Sequence, residues 1–88
     1  MEYNEFEIKD MLEEAKFYIV SQKYEEAEKI LKQILEKEPE NIEALYNLGI
    51  LYEIINDRDR AREFFKKVVD KQPSNKDAEE HLNKLSEY

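Results

Sequence analysis

The sequence feature that most constrains the fold is an internal repeat of 34 residues, the distance that separates Pro39 from Pro73. Residues of similar size or chemistry coincide at this shift: Ile8 with Ile42, Ala15 with Gly49, Tyr18 with Tyr52, Ala27 with Ala61, Lys32 with Lys66, Lys37 with Lys71, Asn41 with Asn75 and Ala44 with Ala78. A period of this length is typical of helical hairpins that bury an apolar face on their neighbours. We therefore expect one structural unit to recur along the chain.

Apolar residues recur at spacings of three and four, which indicates amphipathic helices. Two helices are predicted before Pro39 and two between Pro39 and Pro73, separated by breaks at 21–23, 38–41, 56–57 and 72–75. Each break contains an N-cap side chain, a proline or both, and these residues begin or end helices. In a last segment, roughly 76–87, the apolar side is formed only by Ala78, Leu82 and Leu85. This pattern predicts a weakly amphipathic terminal helix.

Composition and charge argue against several classes of function. The 88 residues carry a formal net charge of −8, which opposes a nucleic acid as partner. The absence of cysteine removes disulfides and thiolate metal sites and fits a reducing compartment. No apolar run is long enough to span a bilayer, and the acidic N-terminus is unlike a signal peptide. We expect a single cytoplasmic domain with no membrane partner.

The titratable residues give little support to catalysis or to a cofactor. His81 is the only histidine, so it would have to serve any Ser-His-Asp triad, and the three serines fall in predicted turns or near the C-terminus. Asp77 and His81 can share a helix face, but two ligands without a third make a weak metal site. We therefore expect no enzyme activity, no metal and no cofactor.

The second repeat unit, roughly 42–75, resembles the tetratricopeptide repeat family. It carries the residues that the family pattern specifies: Leu45, Leu48, Gly49, Tyr52, Ala61, Phe65, Val68 and Pro73. The first unit, roughly 8–41, matches less fully, because Glu14 stands where the pattern has leucine. The resemblance implies an all-α fold, a right-handed α-α superhelix of two helical hairpins. Residues 1–88 would form a single domain in which 76–88 is a solvating helix that caps the stack.

The only glycine, Gly49, lies inside a predicted helix, where glycine costs about 1 kcal/mol relative to alanine. The resemblance supplies a structural reason for it. Gly49 and Ala15 are expected where the first helix of each unit crosses its partner at closest range, opposite Ala61 and Ala27. No phosphate-binding loop precedes the helix, so a structural role is favoured over a ligand contact.

The resemblance also implies a concave groove, lined by the first helix of each unit, that takes a peptide or helix of a partner protein. The positions of this chain that correspond to the groove are Lys9, Leu12, Lys16, Ile19, Glu43, Tyr46, Asn47, Ile50, Glu53 and Ile54. The terminal helix would add Asp77, Glu80 and Lys84. The family's clamp for a terminal carboxylate is mostly absent, because Leu12, Asp77 and His81 replace three of its basic residues.

Five apolar groove residues have no clear place in the core between helices: Leu12, Ile19, Tyr46, Ile50 and Ile54. Exposed apolar residues of this number imply something that covers them. One hypothesis is that the groove binds an amphipathic helix or an apolar extended segment, with Tyr46 as central anchor and Lys16 and Glu53 at the rim.

Two alternatives stay open for these apolar residues. The last helix, or Tyr3 and Phe6 near the N-terminus, can fold over them. The chain can also self-associate, because two repeats fall below the roughly three units that such stacks usually need for stability. In that case a homodimer would form through the exposed apolar face.

Overall fold

The computed structural model describes residues 5–86, which form five α-helices and no β-strand. The helices are α1 (Glu5–Val20), α2 (Tyr24–Lys37), α3 (Ile42–Ile54), α4 (Arg58–Lys71) and α5 (Lys76–Leu85). The all-α prediction is confirmed, and the four interruptions fall at the predicted breaks. No helix within these residues is long and apolar enough to cross a membrane.

The helices pack as two hairpins and a final single helix. α1 packs against α2 and α3 against α4, while α2 also packs on α3 and α5 packs on α4. The short connections make neighbouring helices antiparallel. One continuous hydrophobic core runs through the stack, and the buried side chains of the described residues are all apolar.

The turns after α1 and α3 are equivalent down to their hydrogen bonds. Gln22 and Asn56, which are 34 residues apart, both have a left-handed backbone, with φ of 64° and 65°. Each turn has the two backbone bonds of a Schellman motif. The bonds run from Gln22 N–H to Ile19 (3.1 Å) and Lys23 N–H to Tyr18 (2.8 Å), and from Asn56 N–H to Glu53 (3.1 Å) and Asp57 N–H to Tyr52 (2.8 Å).

We expect the substitution Gln22→Gly to raise the free energy of unfolding by about 0.5–1 kcal/mol, because glycine adopts a left-handed backbone without the strain of a Cβ. Asn56→Gly should give a smaller gain, since asparagine tolerates this conformation better than glutamine does. Urea denaturation of the two variants measures the difference. A loss of stability at Gln22 would contradict the left-handed turn.

Asparagine side chains begin α3 and α5 at equivalent positions. The Asn41 side-chain oxygen accepts a hydrogen bond from the Ala44 N–H at 2.9 Å, and Asn75 accepts one from Ala78 at 3.0 Å. Each cap satisfies a backbone donor that the helix cannot pair internally. The caps therefore fix where α3 and α5 start, and these two starts form part of the groove described below.

Gly49 is buried in α3, as expected, and the atoms nearest to it belong to a ring that the sequence analysis did not place there. A Cβ built on Gly49 would lie 2.8 Å from Cε1 and 2.9 Å from Cζ of Phe65. Phe65 lies one helical turn along α4 from Ala61, the buried residue that was expected opposite Gly49. In the first hairpin the equivalent residues are Ala15 and Leu31. Alanine is larger than glycine and leucine is smaller than phenylalanine, so the two sizes change in opposite directions.

The expectation that five apolar groove residues lack a place in the core is wrong for most of them. Leu12 is only 7% exposed and belongs to the core, because it shares one helix stripe with the buried Ile8 and Ala15. Ile19, Tyr46 and Ile50 are half-buried and pack against the core: only Ile54, 48% exposed, stands clear of it.

Candidate functional site

An open groove of about 500 Å³ lies between α1, the first two turns of α3 and the start of α5. Its lining residues are Lys16, Ile42, Glu43, Tyr46, Asn47, Gln72, Asn75 and Asp77. The structure therefore brings together four of the ten predicted groove residues from two different helices, and it adds Asp77 from the terminal helix.

The other predicted groove residues lie outside this lining. Lys9 and Ile54 are exposed elsewhere on their helices, Leu12 is in the core, and Ile19, Ile50 and Glu53 are half-buried. Sequence reasoning missed Ile42, Gln72 and Asn75, which also line the groove. The family pattern directed attention to helix faces, whereas Gln72 and Asn75 belong to the turn between α4 and α5. The proline and cap residues that predict this turn were the available signal.

Tyr46 forms a wall of the groove and is held by two other rings. It packs edge-on against Phe65, with centroids 5.6 Å apart, and edge-on against His81, with centroids 6.0 Å apart. Phe65 is fully buried and stacks in parallel on His81 at 4.7 Å. Because Phe65 cannot move without disturbing the core, the Tyr46 ring has a fixed orientation.

His81 is a packing residue whose role the sequence analysis missed. It follows Ala78 by three residues and precedes the buried Leu85 by four, a spacing that places it at the edge of the α5 apolar stripe. Its Nδ1 lies 2.8 Å from Glu53 Oε1, but the ring N–H is not aligned with an acceptor among the described residues. The two side chains are therefore in close contact without a well-formed hydrogen bond.

The last helix partly covers Tyr46 through the His81 ring, as one of the alternatives supposed. The companion suggestion, that Tyr3 and Phe6 cover the apolar residues, falls outside the described side chains. The pair considered as metal ligands, Asp77 and His81, is not part of a group of three or more candidate ligands within residues 5–86.

The groove has a mixed electrostatic character. Burial raises the pKa of the Tyr46 hydroxyl above its ordinary value, and the carboxylates of Asp77 and Glu53 raise it further. Lys16, which also lines the groove, supplies a positive charge, and its Nζ lies 3.9 Å from a carboxylate oxygen of Glu13. The groove thus combines an aromatic ring with charges of both signs.

Side-chain amides give the groove several hydrogen-bonding groups. The Asn47 amide nitrogen donates to the Glu43 backbone carbonyl at 2.8 Å, which holds the side chain along α3. Asn75 and Gln72 are joined to each other through their side chains at 3.1 Å. Amides can both donate to and accept from a peptide backbone. The arrangement suits binding of an extended or helical segment better than proton transfer.

A protein-family model described as "Tetratricopeptide repeat" matches residues 18–85. The match spans the end of α1 and the remaining four helices, so it includes most of both hairpins. No curated protein matches the chain.

Proposed function

Because the chain belongs to the tetratricopeptide repeat family, we propose that its groove binds a peptide or a helix of a partner protein. The family is in general one of protein–protein interaction modules rather than of enzymes. The partner segment that binds in this groove carries an apolar residue that packs on Tyr46.

The observation that supports the proposal is the position of Tyr46. Its ring lines an open groove and is already fixed by Phe65 and His81. A fixed aromatic ring loses little conformational entropy when a ligand packs on it, which is why such residues often dominate binding. Lys16 and Asp77 form the charged rim of the groove. Asp77 thus takes the rim position that the sequence analysis gave to Glu53, which instead contacts His81.

Photo-crosslinking identifies the segment that occupies the groove. A photoreactive phenylalanine at Glu43, in the groove, is compared with one at Lys66, exposed on α4, in extracts of the native host. The proposal expects a partner that crosslinks at Glu43 and not at Lys66. Its crosslinked segment is then made as a peptide for the titration below.

We expect Asn47→Arg to weaken binding of that peptide by about tenfold, because a long charged side chain fills the groove beside Tyr46. Asn83→Arg makes the same change on the exposed surface of α5 outside the groove and should leave the dissociation constant within about twofold. Calorimetric titration measures both. Equal losses in the two variants, or crosslinks that do not differ between Glu43 and Lys66, would reject the groove as the binding site.

Self-association is the competing proposal from the sequence. Among the side chains that the structure describes, the exposed large apolar ones are Phe17, Val20, Ile54 and Ile55, at the ends of α1 and α3. Light scattering at micromolar concentration decides the matter, because a dimer has twice the mass of the 10.7 kDa chain.

A further inference from the structure

One stripe of α1 is exposed although the equivalent stripe of α3 is buried. Residues 34 apart form the pairs Asp10 with Ala44, Glu14 with Leu48 and Phe17 with Leu51. In each pair the α1 residue is exposed and the α3 residue is buried. Phe17 is 65% exposed, against 1% for Leu51. The spacings of four and three residues place the stripe on a single helix face.

The difference has a specific cause in the packing. Both α1 and α3 pack against the second helix of their own hairpin, but α3 also packs against α2 of the preceding hairpin. Within residues 5–86 no helix takes the place of α2 beside α1. The stripe on α1 therefore marks the surface that α2 covers on α3.

A hydrogen bond repeats this contrast. The hydroxyl of Tyr52 on α3 donates to the carboxylate of Glu28 on α2, and Tyr52 is only 2% exposed. Its equivalent, Tyr18, is half-buried, and its hydroxyl makes no hydrogen bond within the described part of the chain. Tyr18 and Phe17 lie side by side, with ring centroids 6.0 Å apart. Two aromatic side chains thus lack the cover that their equivalents have.

We propose that this surface, the α1 edge, binds an amphipathic helix of a partner protein that packs on α1 as α2 packs on α3. The α1 edge consists of Asp10, Glu14, Phe17 and Tyr18. The partner helix runs antiparallel to α1 and continues the interface that already exists between the two hairpins. It places an apolar side chain on Phe17 and a carboxylate or other acceptor at the Tyr18 hydroxyl.

Charge defines the rest of the partner. Asp10 and Glu14 replace an alanine and a leucine of α3, and neither has an ion-pair partner within the described residues. Covering an unpaired carboxylate is costly, so the occupant must bring lysine or arginine to these two positions. Tyr18 and Asp10 are eight residues apart, which is about 12 Å along a helix. The acceptor of the partner is therefore about one helical turn from the basic residue that faces Glu14 and about two turns from the one that faces Asp10.

A second copy of the chain fits this surface poorly. Each copy carries a net charge of −8, and two α1 edges face to face would bring four carboxylates together. The α1 edge is also separate from the groove: among its neighbours only Lys16 lines the groove, and none of the four edge residues does. Binding at the edge is thus independent of the proposed function.

The probe is derived from α2, because the partner helix is proposed to pack on α1 as α2 packs on α3. It is a capped synthetic peptide of residues 24–37 with the change Leu35→Lys. Leu35 follows Glu28 by seven residues on the same helix face, so in antiparallel packing it would lie opposite Asp10. The titration uses the ¹⁵N-labelled full chain and follows amide shifts. We expect saturable shifts at Glu14, Phe17 and Tyr18.

Variants of the chain locate the binding. Phe17→Ala should weaken binding of the probe by about tenfold or more, since it removes the main apolar contact. Asp10→Asn should weaken binding of the probe by roughly two- to fivefold, the range for one exposed ion pair. Ile55→Ala is the matched control, because Ile55 is also exposed and apolar but lies at the end of α3, and it should change the dissociation constant by less than about twofold.

The same peptide with the natural Leu35 in place of the introduced lysine should bind roughly two- to fivefold more weakly. Three results would each overturn the proposal. One is the absence of saturable shifts at Phe17. Another is that the shifts fall on Tyr46 and Asn47 in the groove instead. The third is that Phe17 shifts with chain concentration before any peptide is added, which would show that a second copy occupies the surface.

Discussion

Gly49→Ala is expected to lower the free energy of unfolding by about 1–3 kcal/mol, the usual cost of overpacking a core. By helix propensity alone the change would stabilise the chain by about 1 kcal/mol. The added methyl group would lie under 3.0 Å from two atoms of the Phe65 ring. Contact between α3 and α4 therefore decides the sign of the effect, and the local preference of the helix does not.

The ring of Phe65 cannot shift without displacing its neighbours. It is fully buried, with Tyr46 in T-shaped contact and His81 stacked on it. Relief of the clash must displace the groove wall or the terminal helix. For the same reason the loss of stability should be accompanied by shifts of the Tyr46 and His81 signals in NMR spectra.

A double-mutant cycle tests the size match between the two helices. Ala15 and Leu31 hold the places of Gly49 and Phe65 in the first hairpin. The double change Gly49→Ala with Phe65→Leu copies that combination, so it should cost less than the sum of the single changes by about 1 kcal/mol or more. Urea denaturation of the four proteins measures the coupling. Additive effects would show that the two residues do not share one space.

Tyr52→Phe is expected to lower the free energy of unfolding by about 1.5–3 kcal/mol, the range for a hydrogen bond to a charged group. The lost bond joins α3 to Glu28 on α2, so it fastens the second hairpin to the first. Glu28 is also held by Lys32, whose Nζ lies 3.3 Å away. Tyr18→Phe is the matched control one repeat earlier. Because the Tyr18 hydroxyl has no partner within residues 5–86, that change should be nearly neutral.

The same bond makes stability depend on pH at both ends of the scale. The Tyr52 hydroxyl, followed by Lys32, holds the pKa of Glu28 below its ordinary value of 4.5. The contribution of ionised Glu28 to the free energy of unfolding is therefore present above pH 4.5 and is lost as the pH falls through the lowered pKa. Burial, followed by Glu28, raises the pKa of Tyr52 from 10.0 to about 12. The contribution of the protonated Tyr52 hydroxyl to the free energy of unfolding is present below pH 10 and is lost as the pH rises toward 12.

Denaturation of the wild-type chain and of Tyr52→Phe at a series of pH values measures these two losses. The difference between the proteins should be largest between about pH 5 and pH 9 and should shrink on either side. A difference that stays constant through the acid range would mean that the Tyr52 hydroxyl does not bond the ionised Glu28.

The repeat predicted the helices and their turns because these depend on local chemistry. Prolines and cap residues fix where a helix begins or ends, and the period fixes which turns are equivalent, as Gln22 and Asn56 show. Gly49 could likewise be recognised as a site of close approach. The nearest atoms to it could not be predicted, because Ala61 and Phe65 lie on the same face of α4 and the crossing of the helices sets both distances.

The groove was only partly predictable, because its shape depends on how elements pack. Lys16, Glu43, Tyr46 and Asn47 were found from the family pattern, but the pattern could not show that Leu12 is covered. Leu12 occupies the place of Tyr46 in a hairpin with different neighbours. A position that is half-exposed in one repeat is therefore buried in the other.

The central claim is that residues 34 apart occupy equivalent sites in two stacked hairpins. An NMR experiment that detects proton contacts below about 5 Å tests it most directly, since side chains in contact lie within that range. The account predicts cross-peaks between the Gly49 α-protons and the Phe65 ring, and between the methyl groups of Ala15 and Leu31. A spectrum with assigned signals in which either pair gives no cross-peak would contradict the equivalence of the two hairpins.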